Sequence, residues 1–80
     1  MFEAFKAAKA ALEGQTVRNM ALAYDMHCLG AVMRYDSSQE VRDAYLIATA
    51  RYHGGIACEE RLQANFDAAE RAYLATVEVK

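Results

Sequence analysis

Proline is absent from this sequence, and glycine occurs only four times in 80 residues. Both residues interrupt helices, so their scarcity favours a helical chain. Period-two alternation of apolar and polar residues, which marks a strand, is confined to the short segment 76–79. We therefore predict an all-α fold in a single domain that covers residues 1–80.

Export and membrane signals are also lacking. The first twelve residues include Glu3 and have no cationic head followed by an unbroken apolar run, as a secretory signal would. No apolar run reaches the roughly 20 residues that cross a bilayer. In a chain without an export signal, Cys28 and Cys58 are expected to be reduced thiols. These features predict a cytoplasmic protein that does not bind membranes.

Charge of one sign is not concentrated anywhere in the chain. The formal net charge is −2, and arginines are spread through the more acidic second half. A surface that binds phosphates needs clustered Lys and Arg, which neither half provides. We predict no direct contact with nucleic acid.

The segment from Met20 to Met33 is apolar or aromatic at all but three of its fourteen positions, Asp25, His27 and Gly30. A helix of this kind needs neighbours on more than one side. One apolar face has the alternating four-three spacing of a helix-packing seam, and it consists of Val17, Ala21, Tyr24, Cys28, Ala31 and Tyr35. A second apolar face consists of Leu22, Met26, Leu29 and Met33. The two faces predict a bundle of three to four helices with this helix, about residues 16–34, at its centre.

Local signals suggest where the other helices begin and end. Gly14 is expected to end the first helix, and Thr16 is expected to cap the central one. Ser37 and Glu40, three residues apart, have the form of a capping box that starts the next helix.

The glycine pair Gly54-Gly55 leaves two alternatives for the second half. Paired glycines commonly end a helix, and we favour a break at this point. The other alternative is one long helix, because the four-three spacing continues in the same phase beyond the pair. The residues that continue it are Gly55, Glu59, Leu62, Phe66, Ala69, Tyr73 and Thr76.

His27, Cys28, His53 and Cys58 are the chain's only histidines and cysteines. Zinc accepts two histidines with two cysteines, so a metal-binding or redox bundle is an alternative hypothesis. Against it, adjacent helical residues such as His27 and Cys28 point about 100° apart, and no Cys-x-x-Cys pair is present. We predict no metal and no cofactor.

Catalytic patterns are missing as well. The glycine pair is not followed by the lysine and hydroxyl residue of a phosphate-binding loop. No Glu-x-x-His pair is present for a di-metal bundle, and nothing local joins a cysteine to a histidine and an orienting group. We predict a protein that is not an enzyme and has no small-molecule substrate.

Aromatic and methionine residues are abundant, with five tyrosines, three phenylalanines and four methionines. Protein interfaces favour tyrosine and methionine, and Tyr35 and Tyr52, beside the expected turns, are the leading contact candidates. We predict a small interaction protein, an adaptor or inhibitor that docks a helical surface on a larger complex. Phages often encode such chains, anti-CRISPR inhibitors among them, so a phage origin is suggested by frequency alone. The alternative is a structural protein that associates with itself as a homodimer.

Overall fold

The computed structural model describes residues 2–78, which form two helices. Helix α1 spans Phe2–Met33 and helix α2 spans Gln39–Glu78. The helices run antiparallel as a hairpin, a rod with principal extents of 63 × 14 × 14 Å. The all-α prediction is confirmed. The predicted number of three to four helices is wrong, because the helices do not break at Gly14 or at Gly54-Gly55 and only two form within residues 2–78.

Helix α1 continues through Gly14, where the sequence predicted its end. A glycine inside a helix costs only about 1 kcal/mol relative to alanine, and packing of the flanking turns on α2 offsets that cost. Thr16 is consequently an interior residue and not a cap. Its hydroxyl lies 3.0 Å from the Leu12 carbonyl oxygen and 2.7 Å from Glu59 Oε1 on the opposite helix.

Helix α2 is likewise uninterrupted at Gly54 and Gly55. In the described part of the chain no residue, glycine included, adopts a positive φ, so the left-handed conformation of a helix C-cap does not form there. The expected break is wrong, and the alternative of one long helix is confirmed. Thr76, Val77 and Glu78 also belong to α2, and Val79 lies outside the described residues.

The connection between the helices is short and hydrogen-bonded. At the end of α1 the Tyr35 amide donates to the Val32 carbonyl at 2.9 Å. The Ser38 amide donates to Asp36 Oδ1 at 3.0 Å, and Ser38 Oγ accepts from the Val41 amide at 3.5 Å. Ser38 is therefore the cap of α2. The cap lies one residue later than the predicted Ser37. No capping box forms, because the position three residues after Ser38 is Val41, which has no carboxylate.

Each helix turns one four-three seam toward the other, in the geometry of an antiparallel coiled coil. Residues of both seams are buried or half-buried. The α1 seam consists of Phe5, Ala8, Leu12, Gln15, Asn19, Leu22, Met26, Leu29 and Met33. The α2 seam consists of Val41, Tyr45, Ala48, Tyr52, Gly55, Glu59, Leu62, Phe66, Ala69 and Tyr73. The predicted face of Leu22, Met26, Leu29 and Met33 is thus the one that α2 covers.

Aromatic rings close the open end of the hairpin. The ring centroid of Phe5 lies 5.3 Å from that of Tyr73 and 5.5 Å from that of Phe66, while Phe2 lies 5.5 Å from Tyr73. Aromatic pairs at such distances stabilise by about 0.5–1.5 kcal/mol beyond the area they bury. These contacts between residues far apart in sequence hold the two chain ends together.

The core of this hairpin is thin. Its radius of gyration is 18.2 Å, whereas a compact domain of this length has a radius of about 12 Å. No large side chain in the described residues is completely buried, and the one strongly buried apolar side chain is that of Ala48. The second helix therefore leaves much of the apolar surface of α1 uncovered.

Candidate interaction surface

A polar layer crosses the middle of the hairpin. Asn19 and Gln15, only 5% and 8% exposed, are its most buried side chains. Asn19 Nδ2 donates to the Gly55 carbonyl oxygen at 3.0 Å, and Gln15 Nε2 donates to Asn19 Oδ1 at 2.9 Å. Gln15 Oε1 accepts from Arg18 Nη2 at 3.0 Å and from the Cys58 thiol at 3.5 Å. Because buried amides are costly unless bonded, this layer favours one alignment of the helices.

Gly55 allows the helices to approach each other at this layer. A Cβ atom built on Gly55 would overlap Asn19 Oδ1 and lie 3.2 Å from Leu22 Cδ1. At the neighbouring Gly54 a Cβ would meet nothing within 4 Å. The two glycines thus differ: Gly55 is required by close packing, and Gly54 faces open space.

The opposite face of α1 is apolar and mostly exposed. Val17 is 66% exposed and Tyr24 68%, and Tyr35, in the turn that follows α1, is 93% exposed. These residues belong to the first of the two apolar faces that the sequence predicted to pack on neighbours, and within the single hairpin α2 does not cover that face. The same spacing extends N-terminally to Ala10, and we call the whole set the outer seam: Ala10, Gly14, Val17, Ala21, Tyr24, Cys28, Ala31 and Tyr35.

The outer seam contains no Asp, Glu, Lys, Arg or His residue. Its members are Ala, Gly, Val, Cys and Tyr. A side-chain hydrogen bond with Cys28 and the electrostatic effect of that group raise the pKa of Tyr24 above its ordinary value near 10, so the Tyr24 hydroxyl is protonated at neutral pH. Uncharged positions at four-three spacing over more than three heptads are the pattern that receives another helix.

Charged residues flank the outer seam on both sides. By helical position, Arg18 and Asp25 lie along one border and Glu13 lies along the other. Arg34, in the turn that directly follows α1, extends the second border. Met20, 68% exposed, adds apolar surface to the second border. Charged borders beside an apolar strip are typical of helix-packing interfaces, in which they set orientation.

The four candidate metal ligands do not converge. His27 and His53 are exposed on different helices, and Cys28 lies on the outer seam. Cys58 contacts Gln15, which is thirteen residues from Cys28 along α1, or roughly 20 Å at 1.5 Å per residue. Among the described residues no three His, Cys, Asp or Glu side chains are placed to share a metal ion.

The two tyrosine contact candidates have different surroundings. Tyr35 projects from the turn and is almost fully exposed. Tyr52 is half-buried in the α2 seam, where it lines a shallow groove with Met20 and Ile56. Tyr35 is therefore available for contact as part of the outer seam, whereas Tyr52 serves the packing of the hairpin.

The sequence identified the outer seam between Val17 and Tyr35 but left open which of the two apolar faces α2 covers. Gln15 and Asn19 interrupt the apolar pattern of the face that α2 covers, so the sequence shows this face only from Leu22 to Met33. The informative signal was that two seams with this spacing fit on one helix.

Within residues 2–78 neither helix has an apolar stretch long enough to span a membrane. Comparison with protein families, with curated proteins and with solved structures finds no match for this chain.

Proposed function

We propose that this chain is a non-enzymatic protein–protein interaction protein that binds through the outer seam of α1. The observation that carries the proposal is the exposure of Val17 and Tyr24 on one heptad face of α1 without charged residues, with the exposed Tyr35 just beyond the end of that helix. An exposed apolar strip of this kind marks a protein contact site, because leaving it in water forgoes roughly 25 cal/mol for each Å² of apolar area.

The hairpin's thin core supports the proposal. A chain of 80 residues has little stability to spare, and here the most buried side chains are those of two amides and an alanine. Binding at the outer seam would bury α1 on both sides and add stability by mass action. Such a protein acts as an adaptor, an inhibitor or a structural element by presenting a helical surface.

Co-purification tests this function. A tagged chain is expressed in bacteria together with an untagged copy, and the proteins bound to it are quantified by mass spectrometry. Tyr24→Lys should remove a stoichiometric companion, whether the untagged copy or another protein. Leu46→Lys is the matched control, because Leu46 is similarly exposed at 64% but lies on α2. Equal binding by the wild type and Tyr24→Lys would overturn the proposal.

A further inference from the structure

We propose that the occupant of the outer seam is the outer seam of a second copy of this chain, packed antiparallel about a two-fold axis. This inference rests on the function proposed above and names the partner. It places α1 and its symmetry mate in the middle of a four-helix assembly, with each α2 outside.

The seam is complementary to itself in size. Its centre lies midway between Ala10 and Tyr35, so full antiparallel overlap fixes the register. In that register Tyr24 meets Ala21 of the second copy, and Tyr35 meets Ala10. The remaining layers pair Val17 with Cys28 and Gly14 with Ala31. Every tyrosine thus faces an alanine, which allows large and small side chains to interdigitate.

The charged borders are complementary in the same register. In antiparallel coiled coils each border faces its own equivalent on the other helix. Arg18 then lies opposite Asp25 of the second copy, and Glu13 lies opposite Arg34. The two-fold axis repeats each pair, and no like charges are opposed. Arg18 uses two of its five N–H groups on Gln15 and retains others for Asp25.

A parallel arrangement fits less well. It would set each seam residue beside its own equivalent, so that Tyr24 would meet Tyr24 and Gly14 would meet Gly14. Layers of two tyrosines would then be overpacked and layers of two small residues would leave cavities, and both defects destabilise a packed interface. The parallel arrangement would also bring two Cys28 thiols together, which gives an experimental distinction.

Disulfide trapping tests the partner and its direction. The background is Cys58→Ser, which leaves Cys28 as the only cysteine. Adding Val17→Cys should produce a covalent dimer under mild oxidation, joined between position 17 and Cys28 by peptide mapping. Ala57→Cys, at an exposed position on α2, is the control and should cross-link at least tenfold more slowly.

Two results would overturn the inference. The first is a dimer joined through Cys28 alone in the background protein, since this indicates parallel helices. The second is cross-linking of Val17→Cys no faster than the control. If the Val17→Cys variant is monomeric while Tyr24→Lys abolishes binding of a different protein, the function proposed above stands. In that case the proposal that a second copy covers the outer seam is wrong.

Charge exchange tests the register without touching the hairpin core. Glu13→Arg places two arginines opposite each other, and Arg34→Glu places two glutamates opposite each other. Each change alone should weaken self-association by about tenfold, because each pair occurs twice in the dimer. The double variant should recover wild-type affinity. Single variants that dimerise as tightly as the wild type would contradict the register.

Discussion

The side-chain amide of Asn19 and the main-chain carbonyl of Gly55 join the two helices through a hydrogen bond of 3.0 Å. The bond requires the helices to approach closely, and only glycine at position 55 leaves room for it. Since Asn19 also accepts from Gln15, sliding either helix by one turn would leave buried amides unpaired. The pair therefore sets the alignment on which the position of every other contact depends.

Replacing Gly55 by alanine should destabilise the protein. The added Cβ would overlap Asn19 Oδ1 and press on Leu22, and we expect a loss of roughly 1–3 kcal/mol in the free energy of unfolding. Urea denaturation at fixed chain concentration measures it. Gly54→Ala is the control: its Cβ meets nothing, so it should stabilise α2 by up to about 1 kcal/mol. Equal effects of the two substitutions would contradict the close approach at Gly55.

Asn19 and Gly55 should be energetically coupled. Asn19→Ala removes the bond to Gly55 and leaves Gln15 without its acceptor, for an expected loss of about 1–3 kcal/mol. In the Asn19→Ala background Gly55→Ala should cost less, since the overlapping oxygen is gone. A double-mutant cycle should give a coupling of at least roughly 0.5 kcal/mol, and strict additivity would argue against the contact.

The cap of α2 is assigned to Ser38 and can be separated from its neighbour. Ser38→Ala removes the oxygen that accepts from the Val41 amide, and we expect thermal unfolding to report a loss of about 0.5–1 kcal/mol. Ser37→Ala should change stability by only a few tenths of a kcal/mol. A larger effect at Ser37 would restore the capping box that the sequence suggested.

At the open end Phe5 should matter more than Phe2. Phe5 contacts both Phe66 and Tyr73 and is half-buried, whereas Phe2 is 49% exposed. Phe5→Ala should lower the free energy of unfolding by roughly 2–3 kcal/mol, and Phe2→Ala by about half of that or less. Comparable losses in chemical denaturation would mean that the chain ends are held together differently.

Helical class and the α2 seam were predictable from the sequence because they depend on local composition and spacing. The absence of proline and the unbroken four-three series from Val41 to Tyr73 both favour a long helix. The positions at which helices end were not predictable in the same way. A glycine ends a helix or remains within it according to what packs on it, and only the structure shows Asn19 lying over Gly55.

The choice between the two faces of α1 also needed coordinates. The face that α2 covers contains Gln15 and Asn19, both of which are buried. Asn and Gln side chains are mostly exposed in proteins, so a sequence predicts them to be buried only if their hydrogen-bond partners are known. Here Gly55 and Cys58 supply the partners from 36 and 43 residues away. Such long-range pairing leaves no local signal, so the sequence alone does not show which of the two faces α2 covers.

Sedimentation equilibrium of the untagged protein tests most directly whether two copies cover each other's outer seam. At about 100 μM, well above the dissociation constant of an ordinary dimer, the account predicts twice the 8.9 kDa mass of one chain for the wild type. It predicts a folded single-chain species for Tyr24→Lys, with helicity checked by circular dichroism and Leu46→Lys remaining dimeric. A wild-type protein that sediments as a folded monomer at this concentration would contradict it.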